Sequence, residues 1–306
     1  MALSDEKILL TGPAGQIAFP LAEYLAKDNE VWGLARFSNP EDKAKVEGIG
    51  VKAVKGDMGD GDFSQLPDDF TYVLHFAALM APGWDFDGAI RANAEGTGLL
   101  LAHTRKAKAA IVMSTHSCYR PQDDPMHVFV ESDPLGEVNA AHAPPYSMSK
   151  ISQEAVARTC ARLFDLPVTI ARMNASYGRN GGLPTQHVDA LLGGGEVTTR
   201  WDPCMYSPIH QDDINTQTEA LLDAASVPAT IVNWAGDEPV SVQEWCAYVG
   251  ELTGTEPVVN VNYPPGTLKG SIADNTARAS FTGPCNVTWR DGIRDVVESR
   301  QAGAGA

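Results

Sequence analysis

A tyrosine and a lysine four residues apart could carry acid–base chemistry in this chain. Tyr146 and Lys150 stand at the two ends of the run Tyr-Ser-Met-Ser-Lys. In a helix this spacing places both side chains on one face, one turn apart, so the ammonium can favour the phenolate. A tyrosine hydroxyl normally titrates near ~10, and such help lets it act near neutral pH. The pair also arises by chance, so its interpretation depends on the rest of the chain.

The composition limits the partners that the protein can have. The chain has 306 residues, 43% hydrophobic and 20% charged, which is enough for one large α/β domain or two intertwined ones. A formal net charge of −16 disfavours nucleic acid and anionic membranes, because both require a basic surface. Five dispersed cysteines without a Cys-x-x-Cys motif indicate free thiols and no zinc site. Without a signal peptide or an apolar run near ~20 residues, we expect a cytoplasmic protein.

A glycine-rich turn near the start of the chain could bind a phosphate. An apolar run over residues 7–10 predicts a buried strand, and a helical pattern continues to about residue 26. The glycines between them allow a tight turn and close backbone approach, while the helix N-terminus attracts an anion. The spacing is Gly-x-x-Gly-x-x-Ala rather than Gly-x-Gly-x-x-Gly, so an ordinary turn is the alternative. The turn predicts a dinucleotide site at Gly12, Ala14, Gly15, Gln16 and Ile17.

The ends of the second and third predicted strands bear on the choice of cofactor. An acidic residue about 20 residues beyond the glycines would bind the ribose 2′-hydroxyl, but Ala35 stands there and Arg36 follows. A guanidinium in place of a carboxylate favours a 2′-phosphate, hence NADP, with NAD as the alternative. Arg36 could also be an ordinary surface residue. Asp57 could accept a hydrogen bond from the adenine amino group, or it could cap the next helix.

Strand and helix patterns alternate along the chain and predict a parallel sheet of about seven strands, in a doubly wound α/β Rossmann fold. Residues 72–78 and 109–113 are nearly all apolar, as expected for strands buried on both faces. His75 lies inside the first of these runs, which indicates a core histidine. Polar residues 114–119 follow the second run, at the sheet edge where ligands bind, although they could equally be turn residues.

The order and spacing of these motifs resemble the extended short-chain dehydrogenases/reductases, the group that includes NAD(P)-dependent sugar epimerases and dehydratases. The resemblance covers residues 5–300. Its motifs are the glycine-rich turn, Gly56-Asp57, His75-Phe76-Ala77-Ala78, Asn93-Ala94-Glu95-Gly96-Thr97, Ser114-Thr115 and residues 146–150, 172–178 and 209–213. The resemblance implies a Rossmann domain over 1–172 plus 216–236. It also implies a smaller C-terminal substrate-binding lobe over 173–215 plus 237–306.

The resemblance further implies a catalytic triad of Thr115, Tyr146 and Lys150, with Ser117 as the alternative hydroxyl. Tyr146 would exchange a proton with the substrate oxygen, and Thr115 would hold that oxygen. Lys150 would lower the pKa of Tyr146 and bind the nicotinamide ribose, while the nicotinamide exchanges a hydride. The further residues expected at the cofactor are Met58, Ala77, Ala78, Asn93 and Tyr146 itself.

Departures from the family pattern narrow the reaction. Dehydratases of this family place Asp-Glu directly after the catalytic Thr, where this chain has His116 and Ser117, so dehydration is disfavoured. Nucleotide-sugar enzymes carry an Arg four residues before the His of the His-x-x-Asp segment, where this chain has Tyr206. Without that guanidinium a diphosphate has no evident clamp. Arg200 and Lys269 could replace it only if their loops bend back.

We therefore expect an NADP-preferring oxidoreductase that interconverts an alcohol and a carbonyl on a small substrate, without a metal. The alternative is an NAD-dependent sugar or nucleotide-sugar epimerase, in which the hydride is returned. A cofactor-binding protein without activity is the third hypothesis. The side chains expected at the substrate are Met80, His116, Ser117, Cys118, Asn174, His187 and Tyr206. A homodimer would pair helices over about 88–107 and 147–164, with Leu99, Leu100, Ala155 and Ala157 on their faces.

Overall fold

The computed structural model describes residues 3–80, 83–136 and 143–304, and a seven-stranded parallel sheet forms its centre. The strands of this sheet are β1 (Lys7–Thr11), β2 (Glu30–Ala35), β3 (Lys52–Lys55), β4 (Tyr72–His75), β5 (Ala109–Thr115), β6 (Val168–Met173) and β7 (Thr230–Trp234). Their order is β7-β6-β5-β4-β1-β2-β3. The order reverses direction beside β1, so the sheet is doubly wound, and the predicted Rossmann fold is confirmed.

Ten α-helices accompany the strands in the described ranges. They are α1 (Ala18–Leu25), α2 (Pro40–Gly48), α3 (Phe86–Ile90), α4 (Gly96–His103), α5 (Pro145–Phe164), α6 (Leu183–Leu192), α7 (Gln211–Asp223), α8 (Val242–Thr253), α9 (Thr276–Thr282) and α10 (Trp289–Ala304). Side chains of α1, α2 and α7 pack on one face of the sheet, and those of α4 and α5 pack on the other. Because both faces are covered, the strands are apolar on both sides.

A π-helical turn interrupts the helix expected over about 88–107. Residues Arg91–Glu95 form this turn between α3 and α4, and α4 ends at His103. The side chain of Asn93 bonds both backbone groups of Leu79 there, with its Oδ1 accepting from the amide at 2.6 Å. Its Nδ2 also donates to Ser149 Oγ at 2.9 Å. The turn therefore ties the segment after β4 to the start of α5.

A separate hydrophobic cluster lies in the C-terminal part of the chain. It is built by α6, α8 and α10, with Val188, Trp245 and Ile293 at its centre. Helix α8 begins with a capping box, in which the side chains of Ser241 and Glu244 each accept from the other's backbone amide. The shorter strands are Val128–Phe129, Ser176–Gly178, Gly181–Gly182, Val197–Thr199, Met205–Tyr206, Ile209–His210, Val240–Ser241, Val259–Val261 and Ile272–Ala273. We propose that this cluster is the substrate-binding lobe.

The start of α7 is capped by a histidine and not by one of the aspartates that follow it. His210 is the N-cap, and its ring Nδ1 accepts from the amide of Asp212 at 3.3 Å. Asp213 lies inside the helix, and its carboxylate accepts from the amides of Asn286 and Val287. The carboxylate of Asp213 is thus used by the distant segment around residue 286 and does not cap the helix.

Several predictions about the surface can be compared with burial. Leu99 and Ala155 are exposed, whereas Leu100 and Ala157 are buried in the core beside the sheet. Of these four residues, only Leu99 and Ala155 can therefore face a second copy of the chain, and the homodimer stays a prediction.

All five cysteines are free thiols. None of the helices in the described ranges is long and apolar enough to cross a membrane.

Candidate active site

A cavity of about 760 Å³ runs along the carboxyl edge of the sheet. All thirteen residues predicted at the cofactor line it, namely Gly12, Ala14, Gly15, Gln16, Ile17, Arg36, Asp57, Met58, Ala77, Ala78, Asn93, Tyr146 and Lys150. They follow the ends of β1 to β4 or lie in the π-helical turn and α5, so the fold brings distant segments to one groove. The volume falls in the range of ~300–1,000 Å³ typical of ligand sites.

The glycine-rich turn provides the narrow part of this groove. Gly12 has φ +72°, and a Cβ there would lie 3.2 Å from Ala77 Cα. The amide of Gly15 donates to the carbonyl of Gly12 at 2.8 Å, which closes the turn before α1 begins at Ala18. A side chain at Gly12 would be strained and would fill the space between β1 and β4. The turn thus fits the backbone approach that a dinucleotide phosphate requires.

Basic and acidic groups meet at the opposite end of the groove. Arg36 is exposed and lines the groove together with Asp42, from the first turn of α2. Asp57 also lines it, and its Oδ1 accepts from the amide of Gly59 at 2.8 Å. Asp57 therefore closes a local turn rather than capping a helix, and its carboxylate faces the groove.

The three residues of the implied triad come together where β5 ends and α5 begins. The side chain of Thr115 hydrogen-bonds the Tyr146 hydroxyl, which lowers the tyrosine pKa, but burial outweighs this bond and raises the pKa to about 12. Lys150 Nζ donates to the carbonyl of Met113 at 2.5 Å. Ser117 instead donates its amide to Thr115 Oγ1 at 3.1 Å. The Thr115 hydroxyl therefore lies beside Tyr146, and its catalytic role stays a prediction.

Lys150 is 2% exposed, and this burial governs its charge. Burial lowers the pKa of Lys150 to about 7, while the carboxylate of Glu154 opposes the shift. The lowering of the Tyr146 pKa by Lys150 stays a prediction. The lysine is anchored by the strand that also carries Thr115.

A buried ion pair behind the triad was missed by sequence reasoning. Arg172 donates from Nη2 to Glu154 Oε2 at 2.8 Å and from Nε to Oε1 at 3.0 Å, with both side chains 3% exposed. Ser114 Oγ donates to the same carboxylate at 2.5 Å. Glu154 lies one turn after Lys150, and Arg172 lies beside Ser114 in the sheet. The available signal was a charged residue within the buried strand β6 and another on the buried face of α5.

His75 is a satisfied core histidine, as predicted. Thr11 Oγ1 accepts from the amides of Phe76 and Ala77, so its own proton goes to His75 Nδ1, 2.8 Å away. His75 Nε2 lies 2.7 Å from Thr97 Oγ1 and 3.1 Å from Gln153 Nε2. Burial lowers the pKa of His75 to about 3. The neutral ring joins the glycine-rich turn to the segment after the π-helical turn.

The residues predicted at the substrate fall into different places. Met80 is 53% exposed and lines the groove, whereas Cys118 is fully buried and faces Glu154. The substrate role of Cys118 was therefore wrong, because the segment after Thr115 turns its thiol into the core. His116 is also buried, and its Nδ1 lies 3.2 Å from Ser271 Oγ.

Three more of these residues bond other parts of the protein. Asn174 donates to the carbonyl of Ser271, and its Oδ1 accepts from two amides, so its amide group is fully used. Trp245 donates to His187 Nδ1 at 3.1 Å, and burial lowers the pKa of His187 to about 4. His187 does not line the groove, and its ring also packs against that of Trp245, with ring centres 5.7 Å apart. Tyr206 accepts a hydrogen bond from Arg200 at 2.5 Å.

A doubly wound sheet with a dinucleotide groove and a Thr–Tyr–Lys cluster at its carboxyl edge defines an enzyme of the extended short-chain dehydrogenase/reductase class. The chain belongs to the NAD dependent epimerase/dehydratase family, whose model matches residues 8–195. No group of three or more potential metal ligands occurs among the described residues.

Similar proteins include enzymes and a glycan biosynthesis protein. The low-salt glycan biosynthesis protein Agl12 of Haloferax volcanii is 27% identical over 197 residues, and the match spans 60% of each chain. The UDP-glucuronic acid 4-epimerase of Bacillus cereus, solved with UDP-glucuronic acid and NAD, has a TM-score of 0.83 and 22% identity over 97% of this chain and 99% of that one. The dTDP-glucose 4,6-dehydratase of Bacillus anthracis, solved with NAD, has a TM-score of 0.80 and 20% identity over 97% of each chain. At these identities the likeness concerns the fold.

Proposed function

We propose that the protein is an NAD-dependent epimerase that inverts a secondary alcohol of a sugar or nucleotide sugar. The observation that carries this proposal is the hydrogen bond between Thr115 and Tyr146 at the inner end of the dinucleotide groove, beside Lys150. Oxidation to a ketone and reduction on the opposite face would return the hydride to the same carbon. The family and the nucleotide-sugar epimerases of the same fold support this reaction over net oxidation.

The chain supplies proton transfer and orientation for this reaction. A bound nicotinamide supplies the acceptor for the hydride. The hydroxyl of Tyr146 exchanges a proton with the substrate oxygen, which the hydroxyl of Thr115 holds in place. The ammonium of Lys150 lies one turn from Tyr146, and it lowers the free-energy cost of the phenolate once the phenol proton is released. The carbonyl of Met113 fixes this ammonium at the end of β5.

Dehydration is disfavoured by the state of His116. An acid is needed after the catalytic Thr to protonate a leaving hydroxyl. Burial and the nearby Arg172 lower the pKa of His116 to about 3, so the imidazole is neutral near pH 7. Ser117 offers no carboxylate to abstract a proton. The segment therefore lacks both the acid and the base.

We propose NAD rather than NADP as the cofactor, although Arg36 taken alone favours NADP. The carboxylate of Asp42 lines the same end of the groove and would repel a 2′-phosphate. We expect Arg36→Ala to change the Michaelis constant for NAD by less than about threefold, because it exposes no buried charge. Arg105→Ala is the surface control. If Arg36→Ala greatly raised the Michaelis constant for NADP and left that for NAD unchanged, NADP would again be the favoured cofactor.

The epimerase is tested by separating cofactor retention from turnover. In the first measurement, purified protein is denatured and the released nucleotides are identified. In the second, native protein is incubated with UDP-glucose or UDP-glucuronic acid, and the products are separated by chromatography. We expect bound NAD and an epimeric product without net reduction. Tyr146→Phe should lose most of the turnover and keep the cofactor, while Tyr24→Phe, an exposed control, keeps both. One reduced cofactor formed per turnover would identify a net dehydrogenase instead.

We also propose that two copies of the chain associate through α4 and α5. Leu99 is 52% exposed and Leu163 is 71% exposed on these helices. A pair of such faces would bury apolar area that a monomer leaves in water. Light scattering should show a dimer, and Leu99→Glu should give a monomer, whereas Trp84→Glu should not. A monomeric parent protein would contradict this.

A further inference from the structure

A second cavity, of about 550 Å³, lies where α1 meets the start of α7. Its walls come from the outer face of α1, the first turn of α7, residues 179 and 180, and Asp295 of α10. It shares none of its lining residues with the cofactor groove. Its volume also falls within the ~300–1,000 Å³ typical of ligand sites. The proposed epimerase reaction leaves this cavity without a role.

A buried histidine in the wall of this cavity has a nitrogen without a partner. His210 is 6% exposed, and its Nδ1 accepts from the amide of Asp212 at 3.3 Å. Burial lowers the pKa of His210, so the ring is neutral near pH 7. A neutral ring whose Nδ1 accepts a hydrogen bond carries its proton on Nε2. Because Nε2 bonds no other atom of the described residues, a buried N–H donor remains for a ligand.

The next residue leaves a buried acceptor in the same wall. Gln211 is also 6% exposed, and its Nε2 donates to the carbonyl of Ile17 at 3.1 Å and to Asn215 Oδ1 at 2.9 Å. These bonds use both N–H donors of the amide, whereas its Oε1 has no partner in the part of the chain that the structure describes. Buried polar atoms without partners are costly, so this wall indicates a ligand that both accepts and donates.

The charged side chains of the cavity nearly balance. Glu23, Asp212 and Asp295 are the acidic residues in its lining, and Lys27 and Arg179 are the basic ones. Arg179 Nε donates to Asp295 Oδ2 at 2.9 Å, so this pair is already neutralised. The remaining two carboxylates and one ammonium form no cluster of one sign, and the positive end of the α7 dipole offsets part of the excess. The cavity therefore fits a neutral ligand better than an anion or a cation.

We propose that this cavity binds a small neutral polyhydroxyl compound of monosaccharide size. A hydroxyl group donates and accepts without a charge, so hydroxyls of one ligand can satisfy both His210 Nε2 and Gln211 Oε1. Phe19 and Pro20 line the α1 side and offer an apolar surface to the C–H face of a ring. The carboxylate of Asp212 is a strong acceptor for a further hydroxyl.

The proposed site is adjacent to the cofactor groove and separate from it. Asn180 Nδ2 donates to the carbonyl of Gln16 at 2.8 Å, and Gln211 holds the carbonyl of Ile17. Gln16 and Ile17 line the cofactor groove, whereas Asn180 and Gln211 line the second cavity. One stretch of backbone therefore lies between the two cavities, and a ligand can occupy the second while NAD occupies the first.

Histidine NMR locates the binding without measuring turnover. The full chain with isotope-labelled histidine is titrated with D-glucose in the presence of excess NAD. Seven histidines contribute ring signals, and that of His210 is identified by its loss in His210→Phe. We expect the His210 signal to shift, because its Nε2 gains a hydrogen bond. His116 directly follows Thr115 in the proposed active site, and its signal should stay unchanged.

Two derivatives of the probe test whether the ligand is neutral. Glucosamine and glucose 6-phosphate keep the hydroxyl-bearing ring and add a positive or a negative charge. We expect D-glucose to bind at least as tightly as either derivative, because the charges around the cavity nearly balance. Tighter binding of a charged derivative at His210 would overturn the assignment of a neutral ligand.

A matched histidine separates the contact from folding. His210→Phe keeps a ring beside Tyr177, where the ring centres are 5.3 Å apart, but removes the Nε2 donor. It should weaken D-glucose binding about threefold or more in a saturation-transfer NMR titration, because one hydrogen bond is lost. His103 lies outside both cavities with its Nε2 3.0 Å from the carbonyl of Pro67, and His103→Phe should leave the binding unchanged.

Three results would overturn the proposal. They are an unmoved His210 signal, a shift of the His116 signal in its place, and equal losses of binding in His210→Phe and His103→Phe. The first of these would mean that the cavity holds only water. Because the titration measures binding and not turnover, a failed epimerase assay would leave its result unchanged.

Discussion

Replacing Glu154 by Gln should strongly destabilise the protein, because it leaves Arg172 charged and buried without a counter-ion. The amide keeps the shape of the side chain but removes a carboxylate that accepts bonds of 2.8 and 3.0 Å from Arg172. Breaking a buried pair from one side costs about 3–5 kcal/mol. A native protein is stable by only about 5–15 kcal/mol, so the loss is a large share. Equilibrium unfolding in urea, followed by circular dichroism, measures it.

A double-mutant cycle and an exposed pair complete this experiment. Glu154→Met with Arg172→Met removes both charges, so the double variant should lose much less free energy than the sum of the two single variants. Asp189 and Arg300 form a pair with side chains 47% and 30% exposed, and Asp189→Asn should cost no more than about 1 kcal/mol. If Glu154→Gln lowered the free energy of unfolding by less than about 1 kcal/mol, or if the effects of the two Met substitutions were additive, the reasoning would be refuted.

Three further predictions concern the groove and the core. Burial places the pKa of Lys150 at about 7, so the ammonium and turnover should decline as pH rises through that value. Glu154→Gln removes the opposing carboxylate and should move the decline to lower pH in a profile of kcat, and an unmoved profile would contradict this. Gly12→Ala and Gly50→Ala share the strain of a positive φ of +72° and +86°, about 1–2 kcal/mol each. Only the Cβ of Gly12→Ala meets neighbouring atoms, so only this variant should weaken NAD binding in a fluorescence titration. Equal weakening in both variants would show that the glycine-rich turn does not bind the cofactor closely. Nitrogen NMR should show the His75 ring neutral from pH 5 to 8, because its pKa is about 3, and a titration in that range would contradict the network.

The sheet could be predicted because its determinants are local. Runs such as residues 109–113 are apolar on both faces, and helical patterns alternate with them along the chain. The π-helical turn at Arg91–Glu95 could not be predicted, since it depends on the bonds of Asn93 to Leu79 and Ser149. Helical periodicity does not record such long-range partners.

The cofactor groove was predictable for a similar reason, because its residues occur in short contiguous motifs. The substrate side was less predictable, since its side chains are used by distant partners. Asn174 bonds Ser271, 97 residues away, and His187 bonds Trp245, 58 residues away. Such pairs form only when the C-terminal part of the chain packs, and no spacing in the sequence indicates them.

The π-helical turn has a consequence for insertions and deletions. A π-turn holds one residue more than an α-turn, and adding or removing one residue rotates the remainder of a helix by about 100°. Deleting one residue within Arg91–Glu95 would restore regular helix and swing the amide of Asn93 away from Leu79. The backbone beside the groove would lose its anchor although no groove residue had changed type. Length is therefore as strictly constrained as residue identity in this turn, and homologues with one residue fewer must hold residue 79 by other means.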